Sequence, residues 1–122
     1  MTLRQKQAAF VTMWARLILY AADELREELF VIEYFRSVET QRAYVARGVS
    51  KTMNSKHLQG LAVDLAFLAD VLDDKILNYT PNHYRKLGEF WEGLGGGWGG
   101  RFGDNPATWN IEGWDSGHFE FN

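Results

Sequence analysis

The tightest constraint on this chain is the segment Leu61–Phe67, Leu-Ala-Val-Asp-Leu-Ala-Phe. It is apolar and β-prone throughout except at its centre, where Asp64 stands. A run of that kind reads as a buried strand, and a carboxylate inside a buried strand is costly unless a cation neutralises it. Two arrangements remove the cost: a metal ion at Asp64, or a basic side chain paired with it. His57, just upstream in Ser55–Asp64, is a good metal ligand. Gly60 and Ala62 between them are small enough for backbone, metal and substrate to approach closely. Short ligand pairs recur by chance, so this stretch alone leaves both arrangements open.

The C-terminus adds Trp114–Phe121, Trp-Asp-Ser-Gly-His-Phe-Glu-Phe. If His118–Phe121 is a strand, His118 and Glu120 share one face while Phe119 and Phe121 pack the other. Two histidines and one carboxylate make the ligand set of a catalytic zinc site, with water in the open fourth position. Asp115, three residues before His118, is a second carboxylate that such a site needs as a base.

Three ordered motifs now stand together. They are Ser-x-His-x-x-Gly-x-Ala-x-Asp (Ser55–Asp64), Trp-Gly-Gly (Trp98–Gly100) and Asp-x-x-His-Phe-Glu (Asp115–Glu120). The set resembles the zinc peptidases of the D-alanyl-D-alanine carboxypeptidase type, whose fold hedgehog signalling domains share. Within that group it is most similar to phage endolysins that act as L-alanyl-D-glutamate peptidases. Arg36–Gly48 resembles their Arg-Ser-x-x-x-Gln-x-x-x-x-x-x-Gly segment, so the similarity runs from about Val31 to the C-terminus.

The resemblance implies one Zn2+ ion held by His57, Asp64 and His118, with Asp115 as general base. Many carboxypeptidase relatives carry Glu at that position, and Asp looks like the endolysin branch. Arg36 resembles the arginine that faces substrate and stabilises an oxyanion; its plain alternative is a surface salt bridge, for instance with Glu39. Ser55 is a candidate for orienting substrate or the ligand loop, or a loop-capping hydroxyl. Gln41 is a candidate for substrate or structural hydrogen bonding. Trp98 is expected near the metal on a cleft wall built from the glycine-rich Gly93–Pro106. Glu120 is expected to fix an imidazole tautomer. His83 matches no motif position and reads as a surface residue.

The expected organisation is one domain spanning 1–122, without a separate cell-wall-binding domain. The chain has 122 residues, 46% hydrophobic and 15% aromatic, enough for a real core. A formal charge of −3 gives no general attraction to nucleic acid. Without cysteine there is neither a disulfide nor a thiolate metal site. Ala8–Ala22 is largely apolar, but Arg16 interrupts it and it is too short to span a bilayer. Phe10, Trp14, Leu17, Ala21 and Leu25 fall at helical spacing, which predicts an amphipathic core helix from near Thr2 to Glu28.

Further along, Leu29–Phe35 predicts a strand, and Ser37 caps a helix over Val38–Ala46 stopped by Gly48. Leu61–Phe67 is the central strand. Asp73-Asp74 turns into a short partner strand around Lys75–Asn78, or into a helical turn. Thr80-Pro81 opens a helix to about Glu92.

The expected fold is α+β: a small antiparallel sheet carrying a zinc site, with helices packed on it. The expected function is hydrolysis of the L-alanyl-D-glutamate bond of the peptidoglycan stem peptide, as a phage endolysin lysing its host. It would be a monomer made in the host bacterial cytoplasm, without stable membrane insertion, reaching the wall through a separate pore-forming protein. One rival is a D-alanyl-D-alanine carboxypeptidase or dipeptidase; another, from a different class, is a non-catalytic zinc-containing binding domain.

Overall fold

The computed structural model describes residues 1–50, 53–76, 81–102 and 115–122, with the backbone alone at 81 and 82. Helix α1 (Leu3–Tyr20) opens with a capping box: Thr2 Oγ1 accepts from the Gln5 amide at 3.1 Å, and the Gln5 side chain accepts from the Thr2 amide at 2.8 Å. A single π turn, Ala21–Leu25, follows it. Arg26 then takes a left-handed conformation, φ 57°, which an α-helix cannot propagate. The helix therefore stops short of the expected Glu28.

Strand β1 (Leu29–Glu33) ends before the expected Phe35, and α2 (Val38–Ala46) is capped by Ser37, whose Oγ accepts from the Thr40 amide. A 3-10 turn over Lys56–Gln59 leads into β2 (Ala62–Phe67). Strands β3 (Val71–Leu72) and β4 (Lys75–Ile76) form a hairpin. Asp73 and Asp74 between them both have positive φ, 52° and 60°, as a type I′ turn requires, so the hairpin is the alternative realised. Helix α3 (Pro81–Gly93), β5 (Gly97–Trp98) and β6 (His118–Glu120) follow, with 3-10 turns at Leu68–Asp70 and Gly99–Arg101. The Thr80 cap and the residues expected to extend β4 to Asn78 lie outside the described residues.

The main sheet has the order β1-β2-β6-β5, antiparallel at every pairing. Because side chains alternate along a strand, the sheet sorts its residues onto two faces. Val63, Leu65 and Phe67 of β2, Phe119 of β6 and Trp98 of β5 join Phe10 and Leu17 of α1 and Tyr84, Leu87 and Trp91 of α3 in one buried core. Asp64, His118 and Glu120 fall on the opposite face. That alternation answers the cost of Asp64: its strand is apolar because one face is core, while the other face forms the floor of a cleft.

At Gly96 and Gly99 the glycine-rich stretch serves close packing. A Cβ on Gly96 would sit 2.0 Å from Trp91 Nε1, and one on Gly99 would sit 2.1 Å from the Asp115 carbonyl oxygen. Trp91 and the Asp115 turn therefore press directly onto backbone.

Candidate metal centre

Antiparallel register builds the centre. Asp64 on β2 is paired with His118 on β6, so their side chains rise together from one face. His57 arrives from the 3-10 turn, which Gly60 closes in a left-handed conformation at φ 67°. Tyr34 holds that turn down, its hydroxyl donating to the Gly60 carbonyl at 3.0 Å. Gly60 thus supplies a turn closure rather than the substrate clearance expected of it.

One ligand atom each from His57, Asp64 and His118 lies within 4.8 Å of the others. His57 Nε2 is 3.2 Å from Asp64 Oδ2, and His118 Nδ1 is 3.0 Å from Asp64 Oδ1. The far nitrogen of each ring is already engaged. His57 Nδ1 lies 2.7 Å from the Tyr34 carbonyl oxygen, and His118 Nε2 lies 2.9 Å from Glu120 Oε1. A carbonyl and a carboxylate only accept, so those nitrogens carry the protons. In the neutral rings Nε2 of His57 and Nδ1 of His118 are then lone pairs, both aimed at one carboxylate. His57 Nε2 is buried with no hydrogen-bond partner. Acceptors facing acceptors repel unless a cation stands between them, and two imidazoles plus a carboxylate are a donor set suited to Zn2+. The residues fit the ion.

The titration of the metal-free cluster follows the same geometry. Burial disfavours charge on His118, but its hydrogen bonds to Asp64 and Glu120 and the nearby carboxylates overcome this and push its pKa up to about 9. Burial would raise Asp64 too, yet hydrogen bonds and charge from His118 and His57 hold it well below the usual carboxylate range. For Glu120, burial is likewise outweighed by His118 and Lys56, and its pKa is lowered. Asp115 goes the other way. Its Oδ2 is 3.9 Å from His118 Nδ1, too far for a hydrogen bond, and partial burial together with the Asp64 charge raises its pKa against the pull of His118, His57 and Arg36.

The centre opens into a cleft of about 620 Å³. Its walls include Glu33, Arg36, Tyr44, Ser55, Asp115 and Glu120. Arg36 is buried to 9% exposure and pairs with Glu33, not with Glu39. Gln41 is fully buried behind Arg36: its Oε1 accepts from Arg36 Nη1 at 2.7 Å and its Nε2 donates to Ser50 Oγ at 2.9 Å. It supports the arginine and does not line the cleft. Ser55 caps the His57 turn, its Oγ accepting from the His57 amide at 3.3 Å, and does reach the cleft.

Trp98 is placed differently from expectation. It is buried in the core on the far face of the sheet, and its Nε1 donates to the Ser116 carbonyl at 2.7 Å. That bond anchors the Asp115–His118 turn from behind. His83 is not a free surface residue either: it stacks on Phe67 at 4.0 Å and its Nδ1 lies 2.8 Å from Asp70 Oδ2.

Glu33 and Tyr44 match no motif position, yet both line the cleft. Glu33 is a carboxylate in a largely apolar strand, as Asp64 is, but the face it takes depends on the register shift in β1.

A family model described as D-alanyl-D-alanine carboxypeptidase matches residues 48–121, more than half of the chain. The chain belongs to the D-alanyl-D-alanine carboxypeptidase family. It is thereby a metallopeptidase of the peptidoglycan-acting type. Two solved structures share the fold of this family member. The L-Ala D-Glu endopeptidase ChiX of Serratia marcescens is similar with a TM-score of 0.61 at 22% identity, over 98% of this chain and 83% of its own. A variant of the vancomycin-resistance D,D-pentapeptidase VanY from a VanB-type cassette, in complex with Zn(II), gives a TM-score of 0.54 at 22% identity, over 92% of this chain and 70% of its own. No protein of curated function matches the sequence.

Proposed function

We propose that this peptidase is a zinc-dependent endopeptidase cutting the L-alanyl-D-glutamate bond of the peptidoglycan stem peptide, and that it serves as a phage endolysin. The observation carrying the peptidase chemistry is the pair of imidazoles whose inner nitrogens converge on Asp64 while their outer nitrogens are tied to Tyr34 and Glu120. The bond assignment is supported by the likeness to an L-Ala D-Glu endopeptidase over nearly the whole chain.

His57, Asp64 and His118 would hold one ion. Zn2+ bound there would polarise a carbonyl and make water a better nucleophile near neutral pH. The chain's own groups supply the rest. Asp115, raised in pKa and not hydrogen-bonded to His118, would take a proton from attacking water and return it to the leaving amine. Arg36, fixed by Glu33 and Gln41, offers an N–H to the oxygen that becomes negative. Glu120 and the Tyr34 carbonyl keep both rings in the tautomer that leaves their inner nitrogens bare.

A carboxypeptidase releasing terminal D-alanine is the second reading, supported by the family description itself. Product analysis of purified peptidoglycan digested by the zinc-loaded protein, with a chelated control, separates the two. New L-alanine C-termini and D-glutamate N-termini are expected. Released D-alanine in their place would move the enzyme to the carboxypeptidase branch.

A further inference from the structure

Strand β1 carries an irregularity that changes which residue faces the cleft. Its register with β2 runs Leu29 to Phe67, Phe30 to Ala66 and Val31 to Leu65, and then shifts so that Glu33, not Ile32, stands opposite Asp64. A bulge of this kind re-aims a side chain, and here it sets a second carboxylate on the Asp64 face. Glu33 Oε1 accepts from Arg36 Nε at 2.7 Å and also from Nη2. Glu33 Oε2 accepts from the Tyr44 hydroxyl at 3.1 Å, and the Tyr44 ring lies 4.6 Å from the Arg36 guanidinium carbon. With Nη1 given to Gln41 and, more loosely, to Ser55 at 3.4 Å, one Nη2 hydrogen of Arg36 remains without a partner among the described residues.

We propose that Glu33 is a specificity-determining residue: by neutralising Arg36 on the cleft wall, it makes that wall a site for an uncharged peptide carbonyl and not for a free carboxylate. The proposal rests on the peptidase reading and deepens it, because a carbonyl donor suits the interior of a peptide whereas an unpaired arginine suits a chain end. Charge across the cleft points the same way. Among the described lining residues four carboxylates, Glu33, Asp64, Asp115 and Glu120, face two cations, Arg36 and Lys56. Both cations are paired, Lys56 lying 3.4 Å from Glu120 Oε2. A dication at the centre brings this set only to neutrality, so an incoming carboxylate meets no net attraction while losing its hydration. Arg36 is also fixed in orientation by the same contacts, and a donor already fixed loses less entropy on binding than a free side chain.

The test is the ratio of dissociation constants for N-acetyl-D-alanine and N-acetyl-D-alaninamide. It is measured by calorimetry or NMR titration on the zinc-loaded full chain carrying Asp115→Ala to suppress turnover. With Glu33 present the amide should bind at least as tightly as the acid. Glu33→Gln keeps an acceptor for Arg36 but removes the charge, and one unit charge across a half-solvated cleft is worth about tenfold in an equilibrium constant. The ratio should therefore move about tenfold toward the acid. Glu33→Asp should retain the preference for the amide, and Tyr44→Phe should leave the ratio unchanged. A tighter acid than amide with Glu33 intact would overturn the proposal, and so would an unchanged ratio in a folded Glu33→Gln protein. The first of these needs no variant at Glu33. Neither depends on which stem-peptide bond is cut, so a different product pattern would leave this result standing.

Discussion

Zinc and a proton compete for the same nitrogen. In the metal-free protein His118 sits between Asp64 and Glu120 with its pKa pushed up to about 9, so at pH 7 about 99% of molecules carry the proton that faces Asp64. Binding of Zn2+ must displace it. Titrating zinc into the chelated protein at pH 7 should therefore release about one proton, and apparent affinity should rise about tenfold per pH unit up to about pH 9, then level off. Calorimetry in two buffers of different ionisation enthalpy reads the proton count directly. The same shift governs stability. His118 has a folded pKa above its unfolded value of 6.5, so its contribution is fully present below about pH 6.5 and is lost as pH rises to about 9. At 1.36 kcal/mol per unit the metal-free protein should lose up to about 3 kcal/mol across that window, whereas the zinc-loaded protein should not. No buffer-dependent heat, together with a flat metal-free stability between pH 6.5 and 9, would refute the arrangement drawn for His118.

Three further outcomes follow from single contacts. Gly88→Ala should destabilise by roughly 1–3 kcal/mol in denaturant melts. Its Cβ would lie 2.0 Å from Trp98 Cδ2, an overlap that outweighs the gain of about 1 kcal/mol in helix propensity. Glu120→Ala should weaken zinc binding about 10–100-fold by freeing the outer nitrogen of His118, measurable by competition with a chromogenic chelator. Below about pH 4 the metal-free protein should lose the stability that the depressed pKa of Asp64 provides, because protonation removes the negative charge that His118 and His57 face; an acid titration followed by near-UV circular dichroism reads that loss.

The parts of the site that were legible in the sequence are those governed by strand alternation. Asp64 in an apolar run and His118 and Glu120 two apart already imply one polar face, and pairing β2 with β6 brings those faces together. Glu33 was hidden by the bulge: without the register shift Ile32 would oppose Asp64, and no residue in Leu29–Glu33 announces the shift. Trp98 was misplaced because a motif position gives no face. Its pairing with Phe119 turns the indole into the core, where it holds the Ser116 carbonyl. The end of α1 was overrun because the apolar spacing continues through Leu25, while the stop lies in the left-handed backbone at Arg26, a residue without the usual glycine signal. His83 reads as a surface residue because its partners, Phe67 and Asp70, lie well before it in sequence and meet it only when α3 packs on the sheet.

The proposed division of labour at the centre, with His57, Asp64 and His118 holding the metal and Asp115 moving the proton, is tested most directly by measuring bound zinc and peptidoglycan hydrolysis together on Asp115→Ala. Zinc content should match the unmodified protein, while turnover should fall by about 10²–10⁴-fold, the usual worth of a general base. Full activity with zinc in place would contradict the account.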